Sequence, residues 1–192
     1  MTKKIIFIIL LLITGSLVIV FNKQLNNIPP LGKFLNPYNG FWKNAESNKI
    51  ESLNKIDLKG LKQSLTIQYD SMLIPHIYAN NDEDLFYAQG YLTALHRLWQ
   101  MEFQIKAASG QLSEIIGKRA LNRDREQRRK GILYAAKRTL NKSKSDKETT
   151  KLLESYVRGI NEYIKSLNYS DYPIEYKILD YKPEKWTLLK TF

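Results

Sequence analysis

Few residues in this sequence are of a type that does chemistry. Cysteine is absent, which excludes disulfides, thiolate metal sites and a cysteine nucleophile. Two histidines, His76 and His96, are too few for a histidine-built metal site without several carboxylates. Asp82 and Asp84 follow Asn80 and Asn81. This run reads as a helix start, where Asn or Asp caps free amides and acidic side chains favour the positive end of the dipole. A glycosidase pair is the weaker reading. His96 stands beside Arg97 in a helical stretch and reads as a structural hydrogen-bonder. Ser64, Ser109, Ser113 and Ser145 fall at strand, cap or loop positions. There is no nucleophile elbow, phosphate loop or metal-spaced cluster. No catalytic, cofactor-binding or metal-binding residue is assigned on these grounds.

The elements around these residues are readable from periodicity. Leu65, Ile67 and Tyr69 alternate with Thr66 and Gln68, and Pro75 holds Ile74 extended, so 64–79 predicts two short strands joined by a turn at Asp70 and Ser71. A helix then runs to about Ala108, with Leu85, Ala88, Leu92, Leu95, Trp99 and Phe103 on one face and Gly110 as its C-cap. A short turn of helix at Leu112–Ile116 closes at Gly117. The basic stretch Lys118–Lys130 leads into Ile132, Leu133, Ala136 and Leu140 at helical spacing. Ser145 and Glu148 form a capping-box pattern opening a last long helix, buried through Leu152, Leu153, Tyr156, Val157, Ile160, Tyr163 and Ile164. The stretch from Tyr169 onward reads as an ordered loop. Trp186–Phe192 has no evident partner, and no stop signal follows Leu188.

The first residues form a separate segment. Lys3 and Lys4 precede an uncharged apolar run from Ile5 to Phe21. It is long for a signal-peptide core, at the short limit for a membrane span, and lacks a small-x-small cleavage site. An uncleaved anchor is favoured over a cleaved signal, with the lysines cytoplasmic and the rest outside. Residues 22–63 read as a tether, broken by Pro29, Pro30, Gly32, Pro37 and Gly40. Its Leu31, Phe34, Leu35, Tyr38, Phe41 and Trp42 are too apolar for a free linker; they pack on the domain or lie at a membrane surface. Residues 64–192 then make one mainly α domain. The net charge of +11 admits nucleic acid, anionic lipid or an acidic partner. Acidic residues inside the basic stretch and a single nearby aromatic, Tyr134, argue against nucleic acid.

Several stretches, in this order, resemble the penicillin acylase (penicillin amidase) family. Asp70-Ser71-Met72-Leu73-Ile74-Pro75-His76-Ile77-Tyr78-Ala79 is similar to its Asp-turn-Pro-His-Ile-x-Ala stretch. Asp84-Leu85-Phe86-Tyr87-Ala88-Gln89-Gly90-Tyr91 and Arg97-Leu98-Trp99-Gln100-Met101-Glu102 follow. Then come Ser109-Gly110-Gln111-Leu112-Ser113-Glu114-Ile115-Ile116-Gly117, the pair Asp124 and Arg128, Tyr156-Val157-Arg158-Gly159-Ile160-Asn161 and Pro183-Glu184-Lys185-Trp186. Leu73 stands where the family often has glycine, and Leu95-His96 replaces a more usual Gln and acidic residue.

The resemblance implies an N-terminal nucleophile hydrolase, αββα when complete, made as one precursor of α chain, spacer and β chain. This chain would be the α-chain part. The nucleophile would be a serine at the β-chain N-terminus, with its own α-amine as base. The acyl-pocket residues and the calcium-binding glutamate of the family would fall beyond Phe192. The implied substrates are β-lactam side chains, acyl-homoserine lactones or other N-acyl amides, and the implied partner is the downstream β-chain region. Pro75, His76, Arg97, Gln100, Glu102 and Glu114 are expected to define the fold, their polar members in buried hydrogen bonds or ion pairs. The alternative is a membrane-anchored, non-catalytic helical interaction module.

Overall fold

The computed structural model describes residues 2–24, 28–45 and 58–192. Residues 25–27 and 46–57 of the expected tether lie outside the described residues. Contacts divide the chain into two units, 1–46 with 168–182, and 47–167 with 183–192.

In the first unit, α1 (Thr2–Phe21) is a 20-residue helix without an acidic residue in its first turn. Its stretch Lys3–Phe21 has mean hydropathy 2.8 and is long and apolar enough to cross a membrane. Two short helices follow, α2 (Leu31–Phe34) and α3 (Trp42–Ala45). The Asn36 carboxamide accepts from the amides of Tyr38 and Asn39 and so closes the turn between them. Phe41 stacks on Phe34, ring centroids 5.0 Å apart, and leans on Trp42 at 4.3 Å.

The second unit opens with an antiparallel hairpin, β1 (Thr66–Tyr69) and β2 (Pro75–Tyr78), with Gln68 opposite His76 and Tyr69 opposite Pro75. Ile67, Tyr69, Pro75 and Ile77 are half-buried, while Thr66, Gln68, His76 and Tyr78 face solvent, the alternation the sequence predicts. Helix α4 (Asp82–Ser109) is capped by Asn81, whose side chain accepts from the Asp84 amide, and ends on left-handed Gly110. Its buried row differs from the expected one. Arg97 leaves helical geometry at φ −143°, ψ 21°. Beyond this break the buried residues are Leu98, Glu102, Lys106 and Ser109, one place before the expected Trp99 and Phe103. Phe103 stays 37% exposed. Apolar spacing alone missed this because two of the buried positions carry charge.

Helix α5 (Ser113–Ile116) and a 3-10 turn over Gly117–Ala120 lead to α6 (Leu121–Lys130), then α7 (Ile132–Ser143) and α8 (Lys147–Ser166). The N-cap of α8 is Asp146, whose carboxylate accepts from the Thr149 amide and hydroxyl. The expected cap, Ser145, instead donates to the Lys142 carbonyl. A carboxylate one residue later meets the free amides more strongly than a hydroxyl. Helices α4 and α8 make the principal packing of this unit. They meet at two glycines. A Cβ on Gly90 would lie 2.9 Å from the Tyr156 carbonyl carbon, and one on Gly159 would lie 2.9 Å from both the Tyr87 carbonyl carbon and the Tyr91 amide nitrogen. Ala88, Ala94, Ile160 and Tyr163 are buried in this unit.

Helix α9 (Ile174–Ile178) belongs to the first unit and buries Tyr176 and Lys177. The Lys177 ammonium donates to the Gly40 and Ser170 carbonyls and to Asn44 Oδ1, at 3.2, 2.8 and 2.6 Å. It thereby ties the turn before α3 to the 3-10 turn over Tyr169–Asp171. Trp186–Phe192 has a partner, contrary to expectation. Trp186 is 4% exposed, and Asn161 on α8 both donates to its carbonyl and accepts from its amide, at 2.9 and 2.8 Å. A 3-10 turn at Leu188–Thr191 then puts Thr191 Oγ1 3.1 Å from the indole N–H. One asparagine satisfying both backbone groups of a loop residue has no periodic signature, which is why the sequence did not reveal this dock.

Candidate functional site

An open groove of about 820 Å³ lies between the hairpin and α4, lined by Met72–Ile77 on one side and by Leu85, Gln89, Leu92, Thr93, His96 and Arg97 on the other. Its rim is built by Asp70. The carboxylate accepts from the amides of Met72 and Ile74 at 2.8 and 2.9 Å, and its second oxygen lies 3.3 Å from His76 Nε2. The Ile74 amide does most to hold this carboxyl below the usual carboxylate range; His76 and Met72 add to the effect, and burial opposes it. The turn so formed places Leu73 at φ +60°, a left-handed conformation that suits glycine. The sequence marks the same position, where glycine is the commoner residue of the resembled family.

The other wall carries His96. Its Nε2 lies 3.1 Å from the Tyr69 hydroxyl, and the two rings meet edge to face. Burial, and secondarily the Arg97 guanidinium, push this imidazole below its ordinary value, so it stays neutral near pH 7. Both imidazoles are thus held by groups that orient a ring. The lining of the groove is otherwise mainly aliphatic and open to solvent. This arrangement can seat an apolar segment.

The residues expected to define the fold part company here. Pro75 and His76 sit in β2 and Arg97 at the α4 break, and all three line the groove. Arg97 donates to Gln100 Oε1 at 2.9 Å. Yet His76, Arg97, Gln100 and Glu114 are all exposed, and of the polar members only Glu102, 1% exposed, is buried as expected. A further buried charge on the same helix is Lys106, 5% exposed, which sequence reasoning missed. Its ammonium donates to Glu114 at 2.6 Å and Glu184 at 2.8 Å, and Glu184 also holds Lys190 at 2.9 Å. Burial pulls the Lys106 ammonium down, but the two carboxylates outweigh it and raise it above the usual lysine value.

Asp124 and Arg128 are not bonded to each other as a pair. Both clamp the loop after α4. Asp124 is 3% exposed and accepts from the amides of Leu112 and Ser113 at 3.0 and 2.7 Å, while Arg128 Nε donates to the Gly110 carbonyl at 2.8 Å. Asp84 does the same work at the start of α4, accepting from the amides of Lys62 and Gln63 at 2.9 Å each. A buried aspartate followed at helical spacing by an arginine was the available signal. Among the described residues no group of three or more His, Asp or Glu side chains is placed to hold a metal ion.

Comparison with known proteins agrees with this scaffold. The penicillin amidase family model matches residues 64–192. A penicillin acylase 2 proenzyme from a Pseudomonas species is 33% identical over 131 residues, 68% of this chain and 16% of that protein. The penicillin G acylase of Escherichia coli is 30% identical over 125 residues, 64% of this chain and 14% of that protein. The acyl-homoserine lactone acylase QuiP of Pseudomonas fluorescens is 34% identical over 130 residues, 67% of this chain and 15% of that protein. The chain therefore spans about one sixth or less of the length of these curated relatives. A thermostable penicillin G acylase from Alcaligenes faecalis superposes with a TM-score of 0.59 at 24% identity, over 68% of this chain and 69% of that one, a likeness of fold. With residues 64–192 matched as one stretch, this chain belongs to the penicillin amidase family.

Proposed function

We propose that this chain is the N-terminal α-chain portion of an amide hydrolase that cleaves N-acyl amide bonds, with the nucleophilic serine supplied by a downstream β-chain region of the same precursor. The reading rests on one observation above all. The hairpin, α4 and α8 are built from the residues that carry the family pattern, yet those residues clamp turns and helix ends. Asp70, Asp84 and Asp124 each hold backbone amides, and Gly90 and Gly159 let two helices touch. None of these is free to attack a carbonyl. Their role in hydrolysis is to shape one wall for groups that lie elsewhere.

In that assembly the downstream serine attacks the amide carbonyl through its hydroxyl, and its α-amine takes the proton. Oxyanion donors come from the β-chain region. The names of the relatives point to penicillins and acyl-homoserine lactones as substrate classes. Helix α1 anchors the assembly in the cytoplasmic membrane, Lys3 and Lys4 on the cytoplasmic side and residues 64–192 outside. Co-expression with the downstream coding region tests the partnership. A tight complex that melts above the chain alone is expected. A chain that is equally stable by itself and has no affinity for that region would favour a non-catalytic module instead.

A further inference from the structure

The first unit carries a surface that the hydrolase reading does not use. Side chains that normally seek cover are exposed there: Ile28 at 53%, Leu35 at 44%, Tyr38 at 81% and Trp42 at 56%. They do not hang on a loose strand. The Asn36 side chain caps the turn beneath Tyr38, Phe34 and Phe41 stack below Trp42, and the buried Lys177 ammonium grips Gly40 and Asn44. The surface is therefore preformed, with its aromatic side chains turned outward.

Its position names its partner. The end of α1 abuts this segment, because the Asn22 side chain lies over Gly32 of α2, where a Cβ would stand 2.9 Å from Asn22 Cγ. A 20-residue helix spans about 30 Å, the thickness of a bilayer's hydrocarbon core. The segment thus begins where α1 leaves the apolar layer. Tyrosine and tryptophan favour that depth, with rings among acyl chains and polar tips among headgroups. Lys23 is exposed where α1 ends and suits an anionic headgroup, while Lys33 is held by Asp180 at 3.2 Å.

We propose that residues 28–45 form an interfacial collar, seating Tyr38 and Trp42 in the headgroup layer of an anionic phospholipid bilayer around the exit of α1. The inference rests on α1 spanning the membrane. The collar fixes the anchored end of the chain against the bilayer rather than leaving it on a free stalk.

The chain contains no cysteine, so single labels can be placed without background. The full chain carrying Asn39→Cys or Leu11→Cys, each with a polarity-sensitive fluorophore, is reconstituted in phosphatidylcholine–phosphatidylglycerol vesicles. Nitroxide lipids labelled near the headgroup or near the acyl end serve as quenchers. The Asn39→Cys label is expected to be quenched several-fold more by the shallow nitroxide, and the Leu11→Cys label by the deep one. Adding Tyr38→Ser and Trp42→Ser should remove most of the shallow quenching at position 39. If the position-39 label escapes both quenchers while Leu11→Cys is quenched deeply, the collar is refuted and the anchor stands. If Leu11→Cys is quenched by neither and alkaline carbonate strips the chain from the vesicles, the anchor fails and the collar with it.

Discussion

Replacing Gly159 by alanine should loosen the whole helical unit. The new Cβ would stand 2.9 Å from the Tyr87 carbonyl carbon and from the Tyr91 amide nitrogen. Ordinary contact between heavy atoms needs about 3.5–4.0 Å, and the Tyr87 carbonyl oxygen stands closer still, so the helices must part by at least about 1 Å. All three obstructing atoms are backbone, and no rotamer change can relieve them. Overpacking of a close core costs about 1–3 kcal/mol, and rigid neighbours put this site at or above the upper end. Alanine returns about 1 kcal/mol through helix propensity. A net loss of about 2 kcal/mol follows, which lowers the melting temperature by roughly 4–8 °C in a chain of this size. Far-UV circular dichroism melts of the detergent-solubilised chain read it directly. Glu154→Ala, at an exposed position on the same helix, serves as the control and should shift stability by less than about 0.5 kcal/mol. If Gly159→Ala melts with the parent or above it, the glycine contact does not set the α4–α8 distance and the packing argument is wrong.

Three further outcomes are expected. Leu73→Gly should stabilise the chain by about 1 kcal/mol in urea titrations, because it relieves a leucine held at φ +60°. Lys106→Ala should cost about 2–3 kcal/mol by thermal melting, since it removes a buried cation and leaves Glu114 and Glu184 facing each other without it. Asp124 lies below the usual carboxylate value in the folded chain: burial works to raise it, but the Ser113 hydroxyl and amide, the Leu112 amide and the Arg128 charge outweigh that. A depressed folded-state value gives stability that is complete above the unfolded aspartate value of about 3.9 and lost as pH falls through the folded one. Asp124→Asn should therefore lower stability at neutral pH and flatten its acid limb, as followed by urea midpoints between pH 6 and pH 3.

The parts legible in the sequence are those written in local chemistry. Alternation gave the hairpin, and Asn81 and Gly110 bounded α4 where expected; Leu73 was marked as standing in a glycine's place only by the family resemblance. What escaped depends on contacts far apart in sequence. The break at Arg97 shifts the buried row by one residue, and Glu102 and Lys106 in that row disguise it as a polar face. A glycine inside a helix costs about 1 kcal/mol relative to alanine, and the meeting of Gly90 and Gly159 is what accounts for them. Trp186 found its partner in Asn161, and the groove's second imidazole, on α4, found Tyr69 on the hairpin. Of the groove, Pro75, His76 and Arg97 were singled out from the resemblance, but the exposure of His76 and Arg97 was not foreseen.

The central claim is that this chain shapes one wall of an amidase whose nucleophile comes from elsewhere. Hydrolysis of a chromogenic N-acyl anilide and of a penicillin tests it most directly, comparing the purified 192-residue chain with its complex with the co-expressed downstream region. The account predicts no turnover above background by the chain alone, and turnover by the complex that is lost when the first serine of the downstream segment is replaced by alanine. Amide hydrolysis by the chain alone would contradict it.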